Sequence, residues 1–290
     1  MTGMPNLKTS LLDLLHELKG KDIPLIIGGG FGIYLLYTDI LTLKKTLFNE
    51  LPEPRSTNDI DLFLHAELLL NSERLEPLAH ALTTLGYQVI PTAAKYQFIK
   101  PGPDGDLKKG IKIDVLTGST RRFINTHVKF DKRRVQPKPS VELHAHPCEE
   151  ALTLEEGATT HEIDGVLSNG SPFGGSVLLP HPFTFLSMKL HALRDQMNNA
   201  DKDNGRHHAL DLYTVMGTMT DETWQASLAM RDHHRGEAVL IECSRIVGQL
   251  FSTIDSPGTI RLRESTYFHP QFLVREFIDA LKELFPAQST

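Results

Sequence analysis

Two acids one residue apart, Asp59 and Asp61, interrupt an apolar run in the stretch RSTNDIDLFL. Because side chains alternate along a strand, both carboxylates lie on one face, while Ile60, Leu62 and Leu64 lie on the other. Neighbouring carboxylates repel, and one takes up a proton unless a cation or hydrogen-bond donors keep both ionised. The pattern therefore indicates a bound divalent metal.

A third acid and a glycine turn extend this chemistry. Asp114 lies in KIDVL, a strand pattern with apolar neighbours, and IIGGGFG is a short apolar strand that stops at three glycines. Glycine lets backbone N–H groups approach phosphate oxygens closely, and Mg²⁺ prefers a few carboxylates plus substrate phosphates. We therefore predict a phosphoryl-transfer site in which Asp59, Asp61 and Asp114 hold Mg²⁺. Asp114 is the candidate general base or second-metal ligand.

The elements that carry these residues predict an α+β protein. Strand and helix patterns are mixed in the first half, and an apparent hairpin around residues 102–106 favours a mixed sheet. After Pro182, apolar residues recur at helical spacing, which predicts a mainly helical second half. An inserted helix and loop are expected at about residues 38–54. The predicted domains are a mixed-sheet domain at 1–136, a connecting segment with short strands at 137–180, and a helical domain at 181–290.

Composition excludes several classes of protein. The chain has 290 residues, 40% of them hydrophobic, a net charge of −6 and two cysteines, which favours a folded protein without a disulfide framework. No apolar run approaches the roughly 20 residues that span a bilayer, so we expect a cytoplasmic protein with no membrane contact. His144, His146 and Cys148 lie too close together to form more than part of a zinc shell.

A basic run at residues 129–138 contains Lys129, Lys132, Arg133, Arg134 and Lys138. Such a run is most often a solvated face, and contact with tRNA is the functional alternative.

The order of the motifs resembles the nucleotidyltransferase superfamily: an apolar strand, a glycine turn, an aspartate-x-aspartate strand and a lone aspartate strand. Within it, RSTNDIDLF is similar to the AbiEii-type toxin branch. The resemblance implies that Gly29 and Gly30 form the phosphate turn, although the pair Gly28 and Gly29 fits the spacing equally well. It also implies that Arg55 and Ser56 contact phosphate.

Two later motifs extend the resemblance. MKLHALRD contains Lys189, and GRHHALDLY contains Asp211. The resemblance implies that Lys189 contacts the triphosphate, a task that suits a mobile point charge, and that Asp211 is an active-site acid.

The activity that the resemblance implies is Mg²⁺-dependent transfer of a nucleoside monophosphate from an NTP to a hydroxyl of a macromolecule. The expected acceptor is tRNA, and the expected role is that of a toxin countered by an antitoxin protein. Two alternatives stay open: an acceptor that is a small molecule such as an aminoglycoside or a protein hydroxyl, and a nucleotide-binding module without turnover.

Overall fold

The chain forms two compact units. The computed structural model describes residues 3–41, 45–55, 57–93, 95–102, 105–199 and 201–287. The first unit, called the sheet unit, comprises Met1–Gly32, Ser56–Glu149 and Leu154–Pro180. The second, called the helical unit, comprises Ile33–Arg55, Glu150–Thr153 and His181–Thr290. The chain therefore passes between the units several times.

One mixed sheet organises the sheet unit. The strands of the described residues are β1 (Ile26–Ile27), β2 (Asp59–Leu64), β3 (Gln88–Val89), β4 (Gln97–Lys100), β5 (Ile111–Thr117), β6 (Lys129–Phe130), β7 (Val135–Gln136), β8 (His146–Pro147), β9 (Thr159–Val166) and β10 (Pro172–Leu179). Eight of them belong to the mixed sheet, in the order β3-β4-β5-β2-β1-β10-β9, with β8 beside β5; β6 and β7 pair separately. β2 runs parallel to β5, β1 parallel to β10 and β5 parallel to β8, whereas the other pairs are antiparallel.

Helices cover this sheet with apolar faces. They are α1 (Gly3–Glu17), the start of α2 (Gly29–Ile40), α3 (Ala66–Leu70) and α4 (Ser72–Thr84). α1 packs against β9 and β10, and its leucines at positions 7, 11, 12 and 14 are completely buried. The leucines at 7, 11 and 14 are four and three residues apart and Leu12 adjoins them, which places all four on one side of the helix, as an amphipathic helix requires. Asn71 caps the N-terminus of α4, and its side chain accepts a hydrogen bond from the Arg74 amide.

The helical unit is built around two long helices, α5 (Pro182–Gln196) and α6 (Lys202–Thr218). Four further helices of this unit are α7 (Asp221–His234), α8 (Ala238–Leu250), α9 (Pro257–Arg263) and α10 (Val274–Leu284). Pro182 stands at the first position of α5, where its missing N–H costs no hydrogen bond. Tyr213 of α6 is buried between Phe272, at 4.5 Å between ring centroids, and Phe48, at 4.9 Å.

The segment before β2 belongs to the helical unit because its side chains are buried there. Phe48 is buried against Tyr213, and the amide of Leu47 donates to the Met219 carbonyl at 2.8 Å. Gly217 lies against Phe48 and Leu51 so closely that a Cβ would overlap both side chains. In the described part of the segment at about 38–54, where the sequence predicts an inserted helix and loop, the end of α2 is helical and residues 45–54 contain no helix; residues 42–44 lie outside the described residues.

The prediction of an α+β chain with a mixed sheet and a mainly helical C-terminal part is confirmed. The sequence analysis divided the chain into consecutive segments, 1–136, 137–180 and 181–290, whereas the two units are built from interleaved segments. Among the described residues, no helix is long and apolar enough to cross a membrane.

Candidate functional site

The sheet unit places acids of two strands side by side. β2 and β5 are parallel, and their register pairs Asp61 with Asp114 and Asp59 with Lys112. Residues paired in register, and residues two apart on one strand, share a face of the sheet. Asp59, Asp61 and Asp114 therefore lie on the same face, and all three are half-buried.

Asp114 holds its proton more tightly than an ordinary aspartate. Burial, followed by the negative charges of Asp61 and Asp59, raises the pKa of Asp114 to about 7, against smaller lowering effects of a hydrogen bond from Gln97 and the charge of Lys112. Its buried Oδ1 atom has no hydrogen-bond partner among the described residues. A buried carboxylate oxygen in this situation is stabilised by a cation.

The turn between β1 and α2 lies against these acids. The Gly28 amide donates to the Asp61 carbonyl at 2.8 Å, and the Gly32 amide donates to the Gly28 carbonyl at 2.7 Å, so α2 starts beside β2. Gly29 has φ of +60°, a conformation that favours glycine, and a Cβ there would overlap the Asp61 carboxylate. A Cβ at Gly28 would overlap the Phe63 ring. Both positions therefore require glycine.

This turn is suited to phosphate. The first N–H groups of a helix have no intrahelical acceptor, and the helix dipole favours an anion at that end. Gly29 and Gly30 are the first two residues of α2. Gly29 lies against the Asp61 carboxylate, so the start of this helix is next to an acid, as a site for a metal-bound phosphate requires.

We expect Gly29→Ala to disrupt this site. The added methyl group overlaps the Asp61 carboxylate and forces a strained φ, so the free energy of unfolding should fall by about 1–3 kcal/mol, and the activity proposed below should fall about 10²-fold. Gly170→Ala is the matched control, because Gly170 has φ of +86° but no atom within 4 Å of its Cβ position. Equal losses in both variants would contradict a specific role for Gly29.

The acids fit a hard cation that also binds substrate. Among the described residues, no group of three or more His, Cys, Asp or Glu side chains could hold a metal ion by itself. Mg²⁺ does not need such a group, because it retains water and takes one or two carboxylates plus substrate phosphates. The unpartnered Oδ1 of Asp114, the neighbouring Asp61 and the glycine turn match that donor set.

The raised pKa of Asp114 makes metal binding depend on pH. Since the metal competes with the proton, Mg²⁺ affinity should rise between about pH 6 and 8 and level off above the pKa of about 7. The raised pKa also means that stability falls as pH rises from the ordinary carboxyl pKa to about 7, so Asp114→Asn should unfold at higher denaturant than wild type at pH 8. Titration calorimetry with Mg²⁺ and urea denaturation at several pH values test both statements. A Mg²⁺ affinity independent of pH would contradict them.

A second cluster of charged groups lies in the helical unit. The Lys189 ammonium donates to Asp211 Oδ2 at 2.7 Å, and the Arg55 guanidinium donates to both carboxylate oxygens at 3.2 Å each. The side chains are 8%, 5% and 17% exposed for Lys189, Asp211 and Arg55. One carboxylate therefore serves two largely buried cations.

The two cations of this cluster keep Asp211 ionised. Burial alone would raise the pKa of Asp211, but the Lys189 and Arg55 charges outweigh it and hold that pKa below its ordinary value. Burial, followed by the charge of Lys189, lowers the pKa of His208 to about 3, so this imidazole is neutral near pH 7.

The candidate residues thus form two clusters, one in each unit. Asp59, Asp61, Asp114, Gly29 and Gly30 belong to the sheet unit. Lys189, Asp211 and Arg55 belong to the helical unit, and Ser56 lies outside the described residues.

Gln97 is a residue of the site that the sequence patterns did not reveal. It lies opposite Asp114 on β4 and forms a hydrogen bond with the Asp114 side chain. The predicted hairpin brings the two strands together but does not fix their register, so the sequence carried no signal for this contact.

Comparisons with known proteins give similarity at the level of structure. No protein-family model matches the chain, and no curated protein does. The chain is similar to the solution structure of the antibiotic-resistance factor ANT(2'')-Ia, at 15% identity and a TM-score of 0.36, over 80% of this chain and 98% of that one. A similarity of this size does not establish a shared activity.

Proposed function

We propose that this chain is a Mg²⁺-dependent nucleotidyltransferase, which transfers a nucleoside monophosphate from an NTP to a hydroxyl group and releases pyrophosphate. The observation that carries the proposal is the pairing of Asp61 with Asp114 beside the glycine turn at the start of α2. This arrangement combines a cation site with backbone donors for phosphate, which is what phosphoryl transfer requires.

Each residue of the sheet unit has a proposed task. Asp61 and Asp114, with Asp59, would hold Mg²⁺, which neutralises the triphosphate and the pyrophosphate that leaves. The amides of Gly29 and Gly30 would bind a phosphate oxygen. If Asp114 is not itself a metal ligand, it is the candidate to accept the proton of the attacking hydroxyl, because its pKa of about 7 in the metal-free protein lies near physiological pH.

The tasks of the helical unit follow from the motif resemblance. Lys189 and Arg55 are proposed phosphate contacts, and Asp211 is a proposed active-site acid. Within their own unit Asp211 keeps both cations paired, so its immediate effect is to fix their positions.

The acceptor that we propose is RNA, with tRNA as the first candidate, and the biological role is that of an AbiEii-type toxin with an antitoxin partner. The motif resemblance supports both statements. A basic surface of the sheet unit supports the RNA acceptor and is described below.

The proposal is tested by incubating the protein with each of the four α-³²P-labelled NTPs, Mg²⁺ and one acceptor at a time. The acceptors are total RNA, an aminoglycoside and casein. We expect label to appear in RNA together with released pyrophosphate. Label in the small molecule or the protein would keep the reaction and replace the acceptor, whereas nucleotide binding without pyrophosphate release would contradict the enzyme assignment.

A further inference from the structure

The strongest local charge of the chain lies in one short segment of the sheet unit. Residues 121–138 contain seven lysines and arginines and one acid, Asp131, in a chain whose net charge is −6. The rest of the protein is therefore more acidic than the whole. A segment of this composition carries a local positive potential.

The segment is an ordered framework. β6 and β7 form a two-stranded ribbon, in which Lys129 pairs with Gln136 and Phe130 with Val135. Val135 is fully buried and exchanges two backbone hydrogen bonds with Ala145, at 2.7 and 3.1 Å. This anchor fixes the ribbon to the rest of the sheet unit.

The turn of the ribbon is also fixed. The Asp131 carboxylate accepts hydrogen bonds from the amides of Arg133 and Arg134, at 2.7 and 3.0 Å, as turn-forming aspartates do. The only acid of the segment therefore holds the backbone, and the basic side chains around it stay positioned.

Most of these cations face solvent. Lys129, Lys132, Arg133 and Lys138 are exposed, and none forms an ion pair within 4.0 Å with another described residue. Arg121 and Arg122, in the adjoining 3₁₀ turn Thr120–Phe123, are exposed as well. The surface made by Arg121, Arg122, Lys129, Lys132 and Arg133 is called the basic ribbon below.

An aromatic ring lies among these charges. The Phe130 side chain is 39% exposed, and its ring centroid is 6.3 Å from that of the buried Phe123. One edge of Phe130 is therefore supported, while the remainder faces solvent among the cations.

We propose that the basic ribbon binds the phosphate backbone of RNA, with Phe130 stacking on a base. Cations that track phosphates beside an exposed aromatic ring are the recurrent arrangement of surfaces that bind single-stranded nucleic acid. An acidic membrane surface would use the same cations but has no stacking partner for the ring. The inference deepens the proposed function, because it states where the RNA acceptor is held.

The test measures RNA binding without NTP or Mg²⁺, so it does not depend on transfer. The probe is a fluorescein-labelled RNA hairpin with a single-stranded 3′ end, followed by anisotropy over a range of KCl concentrations. The double variant Lys132→Glu/Arg133→Glu should weaken RNA binding at least about tenfold. It should also make the plot of log affinity against log salt less steep by about 1.4, since each lost phosphate contact removes about 0.7 from the steepness. Lys19→Glu/Lys21→Glu is the control with equal charge change at exposed positions, and its binding should match wild type.

A second variant separates stacking from charge. Phe130→Leu keeps an apolar contact for Phe123 and the charge, but should weaken RNA binding about tenfold. Circular dichroism verifies that each variant is folded. The proposal is overturned if charge reversal at residues 132 and 133 leaves the affinity for RNA unchanged, or if the control variant loses as much affinity for RNA. It is also overturned if the protein binds phosphatidylserine vesicles and no RNA. Absence of nucleotide transfer together with salt-dependent RNA binding would reject the proposed activity alone.

Discussion

Asp61→Asn is expected to abolish the proposed nucleotide transfer, with a loss of about 10³-fold or more in kcat, because it removes a charge that would act on the developing charges of phosphoryl transfer. Asp61 is the acid that contacts both other parts of the site: it pairs with Asp114 in the strand register and lies against Gly29. The measurement is the release of pyrophosphate, compared at equal protein and saturating Mg²⁺.

The same change has a second, independent consequence. Because the charge of Asp61 helps to raise the pKa of Asp114, Asp61→Asn should lower that pKa from about 7 in the metal-free protein. A carboxyl-carbon NMR titration of Asp114 measures it. Asp164→Asn is the control, since Asp164 is almost fully exposed on β9. Wild-type transfer by Asp61→Asn would contradict the assignment of the site.

Asp211→Asn is expected to produce the largest loss of stability, about 3–5 kcal/mol in the free energy of unfolding, because two largely buried cations lose the carboxylate that both of them contact. Lys189→Met should cost less, because Asp211 stays paired with Arg55. Urea denaturation at neutral pH measures both changes.

The control and the pH dependence sharpen this test. Asp195→Asn removes an exposed partner of Arg194 and should change stability by less than about 1 kcal/mol. Since the pKa of Asp211 lies below its ordinary value, its contribution is present at neutral pH and is lost as the pH falls below about 4. If Asp211→Asn were as stable as Asp195→Asn at neutral pH, the cluster would not stabilise the helical unit.

Local patterns in the sequence predicted individual elements well. The apolar residues Phe183, Leu186, Leu190 and Leu193 recur at helical spacing, and all four are fully buried in α5. Alternation in DIDLFL gave the common face of Asp59 and Asp61, because side-chain direction along a strand depends only on position.

Long-range partners were beyond the sequence patterns. Alternation does not determine which strand pairs with which, so the register of Asp61 with Asp114 and the position of Gln97 beside Asp114 required the structure. The burial of Phe48 against Tyr213 has no periodic signal, and for that reason the segment before β2 was not assigned to the helical unit.

The most direct test of the metal site is a crystal structure of the protein with Mn²⁺ and a nonhydrolysable NTP. We expect an anomalous peak at coordination distance, about 2.1 Å for Mg²⁺, from carboxylate oxygens of both Asp61 and Asp114, with the phosphates at Gly29. A metal–nucleotide complex bound away from these two carboxylates would contradict the account.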